Sequence, residues 1–183
     1  MSKRWLSFLW HDDSMQGVRL FQNCFSVHTR DGIRNIVDCL VPEISQRYCV
    51  THGEFLLFST REGKTLSDEA VRSFDRKYEH FLMEQHYIAG SEIPNVKLFD
   101  RGFLESFRDC LYGDWNHFYL LTSKIPLNVI QPWSNNVPPG CDIFICCVDA
   151  AYWEVFVRDA ALLERLKGRF PEAVPCNLED KTF

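Results

Sequence analysis

The sequence lacks any hydrophobic run long enough to cross a membrane as a helix, which needs about 20 consecutive apolar residues. Its longest stretch without Asp, Glu, Lys or Arg runs from Ile125 to Cys141. That stretch contains four prolines and the pair Asn135-Asn136, which favour a loop over a continuous helix. We therefore expect no membrane-spanning segment and no membrane partner.

Basic residues are too few to suggest a nucleic-acid-binding protein. The chain has 20 Lys and Arg against 25 Asp and Glu, which gives a formal net charge of −5. Because nucleic-acid phosphates are bound by clustered Lys and Arg, we expect no nucleic-acid partner. The acidic excess is concentrated between Asp109 and Glu154, where Lys124 is the single basic residue. This acidic region either serves solubility or forms a surface for a basic protein partner.

Motifs that identify common enzyme classes are also missing. The nine glycines form neither the dinucleotide-binding pattern G-x-G-x-x-G nor the phosphate-binding pattern G-x-x-x-x-G-K. The patterns H-E-x-x-H, G-x-S-x-G and C-x-x-C do not occur either. Two sources of chemistry stay open, namely the cluster His11-Asp12-Asp13 and a Cys–His pair formed in the fold. We expect no cofactor and no metal, and we keep a small hydrolase or transferase as the alternative function.

The eight cysteines lie mostly in apolar runs, where a free cysteine behaves as a small hydrophobic residue. The apolar segment Trp5–Trp10 is shorter than the core of a secretory signal, which spans about 7–15 residues. We therefore expect reduced thiols and a cytoplasmic location. Cys146 and Cys147 are adjacent, so they should point to opposite faces of a strand.

Hydrophobic residues make up 46% of the chain, as in an ordinary globular domain. Aromatic residues make up 14%, with fifteen Phe, which predicts a core rich in large rings. Predicted strands are grouped in hairpins with helices between the groups, which indicates an α+β fold. We predict one α+β domain over residues 1–183, with a mainly antiparallel sheet and three or four packed helices. The predicted elements include an apolar helix face at Ile33, Ile36, Val37 and Leu40, strands over Asp142–Val148 and Tyr152–Val157, a turn at Asp149–Ala151, and a helix over Ala160–Phe170 capped by Asp159. The short segment Val96–Phe99 is a further candidate strand.

The clearest predicted element is a helix over Lys64–Tyr87, with Asp68 and Glu69 in the first turn. Two β-like runs around His52-Gly53 predict a hairpin. The spacing over Gly102–Tyr112 predicts another helix, which Gly113 would end. The following strand is predicted to begin only at His117.

The segment Tyr152-Trp153-Glu154-Val155-Phe156-Val157 is followed by Asp159 and a short leucine-rich helix. Strand alternation predicts that Trp153 lies in the core and Glu154 outside it. This arrangement, with the small acidic α+β profile, resembles bacterial polymorphic-toxin immunity proteins. The resemblance implies a non-enzymatic cytoplasmic protein that neutralises a cognate toxin by binding it, and it identifies no functional residues.

Four residues are candidates for partner binding. Asp114 and Asp149 lie in predicted turns, and Trp115 and Trp133 lie in polar loops. The carboxylates would steer a basic partner, and the indole rings would anchor it, since Trp is enriched among interface hot spots. Our leading hypothesis is therefore a toxin-neutralising binding protein. A structural subunit or adaptor is a third possibility, and the sequence leaves the oligomeric state open.

Overall fold

The computed structural model describes residues 15–57, 60–61, 64–65, 96–108, 111–125 and 137–178; for residues 30, 52–57, 60–61, 64–65, 96–97, 107 and 111–116 the backbone alone is described. This part of the chain contains three α-helices, α1 Ile33–Leu40, α2 Phe103–Phe107 and α3 Ala160–Arg169. Its strands are β1 Gln16–Leu20, β2 Tyr48–Leu57, β3 Thr60–Arg61, β4 Lys64–Thr65, β5 Val96–Phe99, β6 Leu111–Leu121, β7 Cys141–Val148, β8 Tyr152–Val157 and β9 Val174–Asn177.

Seven of the strands form one sheet in the order β5–β2–β6–β7–β8–β1–β9, and β3 pairs with β4. Every neighbouring pair in the large sheet is antiparallel. The predicted α+β class with a mainly antiparallel sheet is therefore confirmed. Among the described residues, no helix combines the length and the apolar character that a membrane crossing requires.

Helix α1 forms because apolar residues recur at three- and four-residue spacing. Ile33, Ile36, Val37 and Leu40 are all fully buried. The helix ends where the cyclic side chain of Pro42 prevents its continuation. The predicted apolar side of this helix is therefore confirmed.

Helix α3 begins at the predicted cap. The Asp159 Oδ1 atom accepts a hydrogen bond from the backbone N–H of Ala161 at 2.7 Å. On the same helix, Arg165 Nη1 donates to the carbonyls of Cys39 and Val41 at 3.3 Å, and Arg165 Nη2 donates to the Glu43 carboxylate at 2.6 Å. Arg165 thereby joins α3 to the C-terminal end of α1.

Both faces of the sheet are buried. On the face that carries α1 and α3, called here the helical face, the Trp153 indole N–H donates to the Thr29 carbonyl at 2.6 Å. On the opposite face, called here the second face, the rings of Tyr119, Phe144 and Phe156 stack in sequence with centroids 4.7 and 5.8 Å apart. Trp153 lies in the core, as predicted.

Gly17 allows the aromatic row on the second face to pack closely. It is the register partner of Phe156, and a Cβ atom built at Gly17 would lie 2.5 Å from the Phe156 ring. A larger residue here would displace that ring from the sheet. The polar sequence over His11–Gly17 predicts a loop, but Gln16 and Gly17 belong to β1, so this prediction is wrong at its last positions.

The predicted hairpin at His52-Gly53 is wrong, because β2 passes straight through these residues. His52 pairs with His117 and Gly53 pairs with Asn116 on the long strand β6. The ladder with β6 outweighs the local turn preference of His-Gly, since strand pairing depends more on neighbours than on intrinsic propensity.

The predicted helix over Gly102–Tyr112 is wrong in its C-terminal part, where β6 has already begun at Leu111. The register between β2 and β6 shifts there, with Glu54 opposite Trp115 but Leu56 opposite Tyr112. Three steps along β6 therefore match two along β2, which defines a β-bulge at Gly113-Asp114. Glycine in a strand often marks a bulge, and Gly113 does so here. The predicted helix over Lys64–Tyr87 lies outside the described residues except for Lys64–Thr65, which are strand β4.

Candidate functional site

The turn between β7 and β8 is a strained and exposed feature of the sheet. Asp149 and Ala150 have φ angles of 49° and 52°, and the Ala151 N–H donates to the Val148 carbonyl at 2.9 Å. Turns with two positive φ values match the twist of hairpin strands but are usually built with Asn, Asp or Gly. Ala150 therefore carries a backbone cost of about 1–2 kcal/mol. The predicted turn is confirmed, and Asp149 is exposed at its tip.

The strand register brings Asp114 to the same end of the sheet as Asp149. Asn116 on β6 pairs with Cys147 on β7. Asp114 lies two residues beyond Asn116, and Asp149 lies two residues beyond Cys147, so both reach about the same level of the sheet. Asp114 belongs to β6 rather than to a turn, which corrects the prediction for this residue. Trp115 is also in β6, opposite Glu54 on β2.

Aromatic side chains lie at the same end of the sheet. Phe21 follows β1 and is 38% exposed, and its ring centroid lies 5.5 Å from that of the half-buried Tyr152. The Arg19 guanidinium lies 4.8 Å from the centre of the Tyr152 ring. We call this end of the sheet the hairpin-end surface; it contains Phe21, Asp149 and Tyr152 together with the strand positions of Asp114 and Trp115. The sequence pattern predicts one strand over Val18–His28, which would place Phe21 inside it; the observed strand β1 ends at Leu20, so Phe21 lies just after it.

Two sequence-predicted sites cannot be located in the fold. Trp133 and the cluster His11-Asp12-Asp13 lie outside the described residues. They remain predictions from sequence.

A polar row crosses the second face of the sheet. Arg19 on β1 pairs with Glu154 on β8, Glu154 pairs with Cys146 on β7, and Cys146 pairs with His117 on β6. Arg19 Nε and Nη2 donate to Glu154 Oε1 at 2.9 and 2.7 Å. The prediction that Glu154 lies outside the core is wrong: the residue is 1% exposed. Because both faces of the sheet are buried, an outward position on β8 is still an interior one.

His117 and Cys146 are a Cys–His pair that the register of β6 and β7 places opposite each other. Each is buried, with exposures of 2% and 0%. The Tyr119 hydroxyl lies 3.3 Å from His117 Nδ1, and the Phe144 ring lies perpendicular to the imidazole with centroids 5.4 Å apart. A substrate does not reach the Cys146 sulfur in this arrangement, so the pair does not favour the hydrolase or transferase alternative.

Most of the described cysteines are core residues, since five of the seven are buried and Cys24 and Cys176 are half-buried. Cys24, Cys39, Cys49, Cys141, Cys146, Cys147 and Cys176 are thiols. Burial raises the pKa of Cys49 and of Cys141 well above the usual value, so both stay protonated and unreactive at neutral pH. Cys146 and Cys147 pack on opposite faces, as predicted. Within the described residues, no group of three or more His, Cys, Asp or Glu residues is arranged to hold a metal.

Comparisons with protein-family models, with curated proteins and with solved structures find no match to this chain.

Proposed function

We propose that this protein is a non-enzymatic binding protein that engages a basic protein partner through the hairpin-end surface. The observation that carries the proposal is the register of β6 and β7, which brings Asp114 and Asp149 to one end of the sheet. The exposed Phe21 ring lies at the same end, against Tyr152. An exposed carboxylate at Asp149 and an exposed ring at Phe21 suit a partner with basic side chains, because charge guides association and an aromatic ring supplies anchoring contacts.

The particular class we propose is a bacterial immunity protein that neutralises a cognate toxin in the cytoplasm. The resemblance of Tyr152–Val157, Asp159 and the helix after it supports this class, as does the acidic composition. The proposal takes residues 1–183 as one domain with three or four helices packed on the sheet. Trp133 is kept as a fourth predicted contact beside Asp114, Trp115 and Asp149.

The test begins with a pull-down against the protein encoded by the neighbouring gene. Association and dissociation rates are then measured at two salt concentrations for Asp149→Lys and for Glu164→Lys. Glu164 is a matched control, since its side chain is 71% exposed and belongs to α3 rather than to the hairpin-end surface. We expect Asp149→Lys to slow association and to weaken its salt dependence, whereas Glu164→Lys should leave both unchanged.

The aromatic part of the surface is tested with Phe21→Ala and the control Val174→Ala. These are the two large hydrophobic residues that the described part of the chain exposes, at 38% and 48%. Loss of a hot-spot ring should speed dissociation, with a cost of about 2 kcal/mol or more. Trp115→Ala and Trp133→Ala should act in the same direction if their rings are anchors.

Two results would count against the proposal in different ways. Tight binding that is unaffected by Asp149→Lys, Phe21→Ala and Trp115→Ala would mean that another face binds the partner. Failure to bind the neighbour-encoded protein, together with failure to protect cells that express it, would remove the immunity function itself.

A further inference from the structure

The sheet has a second end, where β2 begins, β6 ends and β7 begins. Tyr48 pairs with Leu121, and Leu121 pairs with Cys141, the first residue of β7. Asp149 follows the last residue of β7, so it lies at the other end of the sheet, roughly 25 Å away along the strand. One molecule therefore cannot bring its own two ends into contact.

Cations are concentrated at this second end. Arg101 Cζ lies 4.8 Å from the centre of the Tyr48 ring, and Lys124 Nζ lies 5.3 Å from the same centre. Lys124 Nζ also lies 3.6 Å from Asp100 Oδ1, whereas no carboxylate among the described residues pairs with the exposed Arg101. The group therefore keeps one unbalanced positive charge in a chain whose formal net charge is −5. We call this group the basic end; its members are Tyr48, Asp100, Arg101 and Lys124.

Two turns hold the basic end in place. The Asp100 carbonyl accepts a hydrogen bond from the N–H three residues later at 3.3 Å, and Gly102 within this turn has a φ of 77° and a ψ of 5°. These angles match the third position of a type II turn, which glycine adopts without strain, and they place Arg101 at the corner. Gly140 has a φ of 75° in a second turn, and its carbonyl accepts from the Thr122 N–H at 3.0 Å, which anchors the segment that carries the lysine. The cations are therefore presented by a defined backbone.

The hairpin-end surface offers groups that complement an arginine. Asp149 is exposed at the tip of its turn, and no cation in the described part of the chain pairs with it. The exposed Phe21 ring lies at the same end of the sheet. A guanidinium can donate two hydrogen bonds to one carboxylate and can stack on an aromatic ring. Arg101 of one copy therefore suits both kinds of contact that Asp149 and Phe21 of another copy offer.

We propose that this chain associates weakly with itself, the basic end of one copy docking on the hairpin-end surface of the next. The contact joins two different surfaces at opposite ends of the sheet, so it extends into open head-to-tail chains. Small, exposed and charged surfaces give transient and salt-sensitive contacts rather than a permanent oligomer. A basic partner that covers Asp149 displaces the next copy, so self-association and partner binding exclude each other. The inference uses the same surface as the proposed function but does not depend on that function.

The test measures the full chain alone by sedimentation equilibrium, at protein concentrations up to about 1 mM because the expected affinity is low. At low salt, the weight-average mass should rise continuously with concentration and should not level off at the dimer. In about 1 M salt, where the screening length is about 3 Å, this rise should be lost.

Charge reversal tests the two surfaces as a pair. Asp149→Lys and Arg101→Glu each place like charges at the contact, so each variant alone should associate on the order of tenfold more weakly or worse. An equimolar mixture of the two variants has opposite charges at every contact and should associate again, and so should the double variant. Glu164→Lys and Arg169→Glu are matched controls, because they make the same changes in net charge on α3 and should associate like the parent protein. Far-ultraviolet circular dichroism checks that each variant is folded.

A parent protein that stays monomeric at low salt and about 1 mM would overturn the proposal. So would a mixture of the two folded variants that stays monomeric, or self-association of either single variant as strong as that of the parent. A mass that levels off at the dimer would refute the open chain. No partner is present in these measurements, so their failure leaves the proposed function untouched, and failure of the partner assays leaves this proposal untouched.

Discussion

The pair formed by Arg19 and Glu154 gives an asymmetric stability prediction. Arg19 Nε and Nη2 both donate to Glu154 Oε1, at 2.9 and 2.7 Å. The two side chains differ in exposure, 32% for Arg19 and 2% for Glu154. Removing the arginine therefore leaves a buried carboxylate without this cation, whereas removing the carboxylate leaves a guanidinium that water already reaches.

The magnitudes follow from this difference. Removing one partner of an ion pair so that the other charge stays buried lowers the free energy of unfolding by about 3–5 kcal/mol. We expect a loss in this range for Arg19→Met. Methionine keeps an apolar stem against the Tyr152 ring, so the loss reports mainly on charge. Glu154→Gln retains an oxygen that accepts a hydrogen bond, and it should cost only about 1 kcal/mol. The double variant Arg19→Met/Glu154→Leu should come within about 1–2 kcal/mol of the parent, because no charge is left buried.

Urea unfolding followed by tryptophan fluorescence measures these differences as changes in the free energy of unfolding. The slope of free energy against urea should stay the same in all four proteins, since the surface exposed on unfolding is unchanged. Equal losses for Arg19→Met and Glu154→Gln, or a larger loss for Glu154→Gln, would show that burial of Glu154 does not control the stability of the pair.

Four further predictions concern single features of the fold. Asp159→Ala should lower the free energy of unfolding by about 1 kcal/mol, since the cap of α3 is lost, and thermal unfolding measures this. Ala150→Gly should raise the free energy of unfolding by about 0.5 kcal/mol, because the steric strain removed at positive φ exceeds the backbone entropy that glycine loses on folding. The control Ala151→Gly should lower the free energy of unfolding in the same assay. The hydrogen bond from Arg165 lowers the pKa of Glu43 in the folded protein. The Glu43 carboxylate therefore adds to the free energy of unfolding above pH 4.5, the ordinary carboxyl pKa, and this stabilisation is lost as the pH falls through the lowered pKa. Glu43→Gln should therefore cost more stability at pH 7 than at about pH 3, as measured by urea unfolding at both pH values. Thiol titration should find all eight cysteines in denatured protein, but Cys49 and Cys141 should stay unreactive in the native protein.

Elements with a strong local pattern were predictable from sequence. Helix α1 has its apolar residues at helical spacing, and α3 has both an apolar spacing and the cap Asp159. The hairpin of β7 and β8 has two strand-like runs around a short turn. Each of these signals is contained within a few residues, so no distant partner is needed to interpret it.

The errors have a common origin in pairing between distant segments. Gly53 favours a turn and Gly113 favours the end of a helix, but Gly53 pairs with Asn116 in the long ladder between β2 and β6, and Gly113 lies in the bulge of that ladder. Strand β9 has four residues and gave no usable pattern, because its conformation depends on pairing with β1. Local preference is a weak guide wherever the sheet supplies the hydrogen bonds.

The sequence by itself determined the α+β class, the apolar sides of α1 and α3, the turn at Asp149 and the opposite orientations of Cys146 and Cys147. Only the tertiary structure decided that Glu154 is buried, because alternation along a strand separates two faces without showing that both are covered. Only the register of the sheet paired Arg19 with Glu154, 135 residues apart in the chain, and Cys146 with His117. These contacts join strands distant in sequence, so their geometry arises from the ladder as a whole and leaves no local pattern to predict it.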